Sequence, residues 1–189
     1  MAFEKEWINM NNGKTVYVKV LEGSRGILQF YEKDNKIHET EAFIGINGVT
    51  KEKVEGDGKT PIGTFDLGIT FGTHKFLNSI NRKYIQINNN LYWVDDVKSK
   101  YYNQLVDITK VNKDWNSAEH LIEYSREYEY AVEIKVNPEN VPGKGSAIFM
   151  HCSVGKPTAG CVAIDREKLL ELLKCVQENG LICIEKFEK

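Results

Sequence analysis

The sequence has no apolar run long enough to cross a bilayer and no excess of charge of either sign. A transmembrane helix needs about 20 consecutive apolar residues, whereas the longest runs here are a few residues, such as residues 147–150. Its 25 Lys and Arg residues are matched by 27 Asp and Glu residues, for a formal net charge of −2. Nucleic-acid-binding domains usually carry a basic excess. We therefore expect no transmembrane segment and no nucleic-acid partner.

The first twelve residues also lack the apolar core of a secretory signal peptide, because they carry Glu4, Lys5 and Glu6. We therefore expect either a cytoplasmic protein or the mature or trimmed form of an exported one. A hydrophobic content of 41% excludes a disordered chain. The 189 residues contain no repeat or linker and fit one domain, which would bury roughly 70% of its unfolded surface.

The four cysteines lack the C-x-x-C spacing of common zinc and redox sites. A zinc site would need His151, Cys152, Cys161 and one further ligand at unusual separations, so we expect no metal. Two disulfides are permitted by the even count, but a core of this size does not require them. Cys175 and Cys183 fall on apolar positions of a predicted helix and strand, which favours plain buried residues.

Most of the chain has the apolar alternation of β-strands. One helix is clear, because Asp165 is a good N-cap, an apolar stripe follows with the spacing of a helix, and Gly180 could end it. A shorter helix is predicted at residues 117–126, and the asparagines at 88–90 predict a hairpin. The predicted strands are residues 15–21, 26–31, 37–46, 84–87, 91–94, 128–136, 146–152 and 181–184. This pattern predicts a mainly-β domain with a helix packed on it.

Two glycine-rich stretches, residues 55–65 and 142–146, invite comparison with nucleotide-binding loops. A phosphate-binding loop needs G-x-x-x-x-G-K-[ST] between a strand and a helix. The run G-D-G-K-T at residues 56–60 lacks the first glycine, and Pro61 leads into strand-like residues. We therefore interpret both stretches as turns that set strand register.

The richest segment for chemistry is I-F-M-H-C-S-V-G-K-P-T-A-G-C-V-A-I at residues 148–164. An apolar strand brings His151 to its end, and a short loop leads to Cys161 and a second apolar run. A thiol becomes a nucleophile as its thiolate, and histidine is the usual base near neutral pH. Gly160 lets backbone N–H groups turn toward the sulfur, where they could hold an oxyanion. These residues alone leave open a buried cysteine beside a hydrogen-bonded histidine.

This segment resembles the active site of the L,D-transpeptidase catalytic domain, the YkuD-type family of bacterial cell-wall enzymes. The family pattern of an upstream His followed by [ST]-x-G-C corresponds to His151, Thr158, Gly160 and Cys161. The family's T-P-x-G-x-F element corresponds to residues 60–65. Three longer runs resemble one branch of the family: residues 56–61, 93–103 and G-K-G-S-A-I-F-M-H-C at 143–152. The resemblance covers about residues 15–186.

The resemblance implies a mainly-β, β-sandwich-type domain with a few small helices at residues 15–189, after an N-terminal extension at residues 1–14. It implies a thioester acyl-enzyme on Cys161, with His151 as base and backbone N–H groups of Gly160 and Cys161 holding the oxyanion. The substrates would be peptidoglycan stem peptides joined by 3→3 cross-links, at the cell envelope or outside the cell. No cofactor is implied.

The sequence departs from the better-known family pattern at three points. Ala159 and Ala163 replace residues that are often His and Arg or Asn, and the loop after His151 is short. His151 is then the only local base. Candidates for the missing substrate contacts are Thr158, Lys156, Arg25 and residues 101–103, with Tyr102 foremost. Cys152 follows His151 on a strand and should face the opposite side.

Two other functions stay open. An L,D-carboxypeptidase or other thiol peptidase on the same scaffold would share the first half-reaction. A non-catalytic wall-binding domain would retain His151 and Cys161 as remnants. If the enzyme hypothesis holds, we expect Cys161 to be the most reactive of the four thiols.

Overall fold

The structure is a computed structural model that describes residues 14–32, 35–75, 82–176 and 180–187. Residues 1–13 of the predicted N-terminal extension lie outside the described residues. In the described part of the chain, the α-helix α1 is Arg166–Cys175, and two short 3-10 turns are Leu121–Tyr124 and Glu127–Glu129. The strands are β1 Lys14–Val20, β2 Arg25–Glu32, β3 Asn35–Phe43, β4 Val49–Thr50, β5 Thr60–Pro61, β6 Gly63–Gly72, β7 Tyr84–Gln86, β8 Leu91–Val94, β9 Leu105–Asp107, β10 Ala118–His120, β11 Ala131–Ile134, β12 Phe149–Cys152, β13 Val162–Ile164 and β14 Leu181–Lys186.

Nine strands form one sheet in the order β11-β12-β13-β3-β2-β1-β14-β6-β7. The ten-residue strand β6 pairs with β14 through its first half and with β11 through its second half. Because β11 stands at the other end of the order, this double pairing closes the sheet into a barrel-like core. The mainly-β prediction for an L,D-transpeptidase-type domain is confirmed, with a closed sheet as its centre.

The barrel interior and α1 share one hydrophobic core. Asp165 caps α1 by accepting hydrogen bonds from the N–H groups of Glu167 and Lys168, as predicted. The prediction that Gly180 ends this helix is wrong, because α1 ends at Cys175. Val176 is already extended, and its side chain is buried in the same core. The extended backbone of Val176, rather than a glycine, therefore marks the end of the helix.

A three-stranded sheet, β10-β8-β9, carries part of a second core of aromatic residues. It replaces two predicted features. The predicted hairpin does not form, because β7 pairs with β6 while β8 pairs with β9 and β10. The helix predicted at residues 117–126 is instead β10 followed by a 3-10 turn, with Glu119 paired to Trp93 across the sheet. This small sheet places Trp93 in the same cluster as Cys161.

Candidate active site

Cys161 lies immediately before β13, beside the start of β12. The two strands are parallel and pair Met150 with Val162, so Cys161 stands level with Phe149. Its sulfur accepts a hydrogen bond from the Phe149 N–H and donates one to the Ala147 carbonyl, both at 3.3 Å. The residue is 8% exposed. Strand pairing thus fixes the thiol at one edge of the barrel, within the aromatic cluster.

His151 lies two residues beyond Phe149 on β12 and therefore shares the face to which Cys161 belongs. Its Nδ1 is 3.0 Å from the Cys152 carbonyl oxygen. Because a carbonyl only accepts, Nδ1 carries the proton and Nε2 keeps the lone pair of a base. The Tyr128 ring packs edge-to-face on the imidazole, with centroids 5.6 Å apart. The backbone therefore sets the tautomer that a general base requires.

Burial controls the protonation of both groups. Burial is the main cause that raises the pKa of the Cys161 thiol to about 12, and the negative charge of Glu119 contributes in the same direction. Burial also lowers the pKa of His151, partly offset by the hydrogen bond to Cys152. The resting pair at neutral pH is a neutral thiol and a neutral imidazole. At neutral pH this site therefore holds no preformed thiolate.

Cys152 lies on the face of β12 opposite to His151, as the alternation of side chains along a strand predicts. It is therefore separated from Cys161, which belongs to the aromatic cluster. Cys152 belongs to the barrel core, and burial raises its thiol pKa to about 11. In the described residues, no group of three or more His, Cys, Asp or Glu side chains could hold a metal ion. Cys175 and Cys183 are half-buried and thus more accessible than Cys161. Selective reaction at Cys161 therefore needs a substrate-like reagent.

The first glycine-rich stretch meets the Gly-Cys motif about one hundred residues later. Thr60 accepts a hydrogen bond from the Gly45 N–H and donates one to the Gly160 carbonyl at 2.9 Å. Gly160 has φ +146°, and a Cβ atom there would lie 3.0 Å from the Lys59 carbonyl oxygen and 3.1 Å from Ile148 Cδ1. Only glycine fits this conformation and this space. The T-P-x-G element therefore holds the turn that presents Cys161.

Thr158 closes the same turn from within. Its hydroxyl donates to the Cys161 carbonyl at 2.7 Å and accepts from the Gly160 N–H at 3.1 Å. The Gly160 N–H is thereby engaged, and the Cys161 N–H is the other donor of the predicted oxyanion pair. Substrate contact by Thr158 and oxyanion binding by Gly160 stay predictions, and each would require these bonds to rearrange.

The other predicted substrate contacts do not converge on the thiol. Lys156 is exposed on the loop between His151 and Cys161. Tyr102 is buried, and its hydroxyl donates to Glu55, whose carboxylate also accepts from Ser146 at 2.7 Å. Burial raises the pKa of Tyr102, and the hydrogen bond to Glu55 raises it as well. Tyr102 thus supports the fold around Glu55, and its contact with a substrate stays a prediction.

Asn103 belongs to the predicted substrate contacts at residues 101–103, but in the structure it supports the backbone beside Cys161. It adopts a left-handed conformation with φ 55°. Its side-chain oxygen accepts hydrogen bonds from the Trp93 indole and from the Ala147 N–H, both at 3.1 Å. Ala147 is itself left-handed, with φ 52°, and its carbonyl receives the Cys161 thiol. The asparagine therefore holds the strained residue that contacts the sulfur.

Glu119 and Tyr128 are neighbours of the site that sequence reasoning missed. The Tyr128 hydroxyl donates to Glu119 at 2.5 Å, and the Tyr128 ring contacts His151. Burial is the main cause that raises the pKa of Glu119 to about 7; Asp95 and Glu55 contribute in the same direction, and the Tyr128 hydrogen bond opposes them. No pattern could have identified Glu119, because its segment predicts a surface helix.

The profile of the YkuD family, the L,D-transpeptidase catalytic domain, matches residues 15–184. The chain belongs to this family. No curated protein matches the sequence. Among solved structures, the chain is similar to the helical cell shape determining protein Pgp2 from Campylobacter jejuni, at 17% identity and a TM-score of 0.46 over 100% of this chain and 56% of Pgp2.

L,D-transpeptidase 1 of Mycobacterium tuberculosis is also similar, at 12% identity and a TM-score of 0.37. That similarity covers 90% of this chain and 62% of the other. The chain thus spans between half and two thirds of the length of these proteins. In the described part of this YkuD-family chain, no helix is long and apolar enough to span a membrane.

Proposed function

We propose that this protein is a cysteine-dependent acyl transferase that acts on peptidoglycan stem peptides as an L,D-transpeptidase. The observation that supports the proposal is that Cys161, just before β13, lies on the same face of the sheet as His151 on β12, whose Nε2 keeps a lone pair. Membership in the YkuD family supports the substrate class. We further propose residues 15–189 as the catalytic domain and the cell envelope as its place of action.

The reaction begins with transfer of the Cys161 thiol proton to His151 Nε2 as the sulfur attacks a carbonyl carbon. That carbonyl belongs to the third residue of a tetrapeptide stem, a diamino acid. The new C–S bond turns the carbonyl oxygen into an oxyanion, which the Cys161 N–H is suited to receive. The C–N bond to the terminal D-alanine then breaks, and the leaving amine takes the proton from His151. A thioester on Cys161 remains.

The acceptor decides the product. The side-chain amine of a second stem attacks the thioester, forms a 3→3 cross-link and returns the thiol. Water in its place releases a tripeptide, which is the L,D-carboxypeptidase reaction. Neither route calls for a cofactor or a metal ion.

The test is product analysis of a purified tetrapeptide stem incubated with and without an amine acceptor. We expect release of D-alanine in both cases and a cross-linked dimer when the acceptor is present. Cys161→Ser should abolish both products, whereas Cys152→Ser, on the opposite face, should retain them. Tripeptide alone under both conditions would identify a carboxypeptidase. If no D-alanine is released, the chain is a wall-binding domain instead.

A further inference from the structure

Lys53 is a buried lysine outside the Cys–His motif. Its side chain is 6% exposed, and its ammonium pairs with the carboxylate of Asp57, which is 16% exposed. Desolvating an ammonium costs free energy, so its burial calls for an explanation. Asp57 is the ion-pair partner of Lys53 and has further hydrogen bonds of its own. Its carboxylate also accepts from the backbone N–H groups of Val54 at 3.1 Å and Lys59 at 2.8 Å.

Two glycines leave the space that Lys53 occupies. A Cβ atom on Gly145 would lie 2.6 Å from Lys53 Cγ, and one on Gly160 would lie 3.2 Å from Lys53 Nζ. Both glycines have positive φ, +93° and +146°. The lysine side chain thus passes the 142–146 loop and ends against the residue that precedes Cys161.

The charges around the Cys161 thiol act in opposite directions. The Lys53 ammonium lowers the thiol pKa, whereas Glu119 raises it. Tyr128 and His151 also belong to this environment, but both are neutral at neutral pH, because burial raises the pKa of Tyr128 and lowers that of His151. Lys53 therefore supplies the positive charge that counteracts burial of the sulfur.

Building on the proposed function, we propose that Lys53 is a positioning residue for acyl transfer. Its ammonium, fixed behind the Gly160–Cys161 turn, favours the negative charge that develops on the Cys161 sulfur and on the oxyanion. A fixed charge in a site that excludes water acts without reorganising during the reaction. Gly160 then also leaves room for the Lys53 ammonium, since a side chain at Gly160 would contact it.

The experiment compares acylation of Cys161 by a carbapenem in the wild type, Lys53→Met and Lys51→Met. Methionine keeps the length of the lysine stem and removes the charge, and Lys51 is an exposed lysine two positions away. We expect Lys53→Met to lower the acylation rate constant about tenfold at each pH, the order of magnitude of losing one fixed charge that favours the developing negative charge. Carbapenem binding before acylation should be unchanged, and Lys51→Met should match the wild type.

The double variant Lys53→Met with Asp57→Asn separates a lost cation from a carboxylate left unpaired. We expect it to stay at least threefold slower than the wild type, with a melting temperature that shows a folded protein. Recovery to the wild-type rate would overturn the inference, because Lys53 would then serve only to neutralise Asp57. So would an unchanged rate in Lys53→Met. If the wild type itself forms no adduct on Cys161, the proposed function fails instead.

Discussion

The two sides of the Cys161 thiol differ in charge and in origin. On one side, the loop that carries Lys53 and Asp57 ends against Gly160 and brings a buried cation. On the other, the small sheet β10-β8-β9 brings Glu119, hydrogen-bonded to Tyr128. The loop side favours a thiolate and the sheet side opposes it, while burial outweighs both. The thiol therefore stays protonated until a base acts on it.

His151→Ala should have the largest effect, because it removes the base that takes the thiol proton in the proposed reaction. We expect acylation to slow by about 10²- to 10⁴-fold, the usual cost of losing a general base. The acid limb of the wild-type rate profile should fall below the ordinary histidine range, since burial lowers the pKa of His151. This limb should vanish in the variant, as measured by adduct formation across a pH series. Wild-type rates with an unchanged profile would show that another group takes the proton.

Glu119→Gln should remove the negative charge that the sheet side places near the Cys161 thiol. The folded-state pKa of Glu119 is about 7 against an ordinary 4.5, so the folded protein binds this proton more tightly than the unfolded chain. Ionisation of Glu119 then removes stability as pH rises through this window, by about 3 kcal/mol. Urea unfolding should give equal free energies of unfolding for wild type and variant at about pH 4, and a larger free energy of unfolding for the variant at about pH 8.

The same variant should also acylate faster. Glutamine keeps an acceptor for the Tyr128 hydroxyl but removes the anion that raises the thiol pKa. We expect a rate increase of about three- to tenfold near neutral pH. A slower variant with unchanged stability would mean that the Glu119 carboxylate assists the reaction, and the contrast between the two sides would be wrong.

Cys175→Ala should have the smallest effect on acylation and serves as a control variant away from the candidate site. The residue is half-buried at the end of α1 and packs against the barrel core. Losing this packing should cost about 1 kcal/mol of unfolding free energy. Acylation per folded molecule should equal that of the wild type. A loss of activity at constant folded fraction would place α1 in the function of the site.

Local patterns predicted several of the barrel strands and the start of α1, but they missed β6, the strand that closes the barrel. Alternation located β1 and β2, and the Asp165 cap fixed the first turn of the helix. Strand partners cannot be read from local sequence. The hairpin predicted at residues 88–90 is therefore wrong, because its flanking strands join different sheets. The helix predicted at 117–126 failed because Glu119 pairs across a sheet, which sequence spacing cannot show.

For the site, the motif located Cys161 and His151, while their electrostatic surroundings lay outside its reach. Lys53 comes from a loop about one hundred residues earlier in the chain, and Glu119 comes from a polar segment with no apolar pattern. Both approach the thiol only after the barrel closes and the small sheet packs on it. The candidate substrate contacts stay predictions, and the structure shows that Thr158 and Tyr102 also form hydrogen bonds within the protein.

The central claim is that Cys161 is the nucleophile and that substrate recognition, rather than exposure, selects it. The direct measurement is peptide mapping by mass spectrometry after brief treatment of the folded protein with a carbapenem. The account predicts one adduct per chain, on Cys161, although Cys175 and Cys183 are more exposed. An adduct on Cys152, Cys175 or Cys183 in preference to Cys161, or no adduct at all, would contradict it.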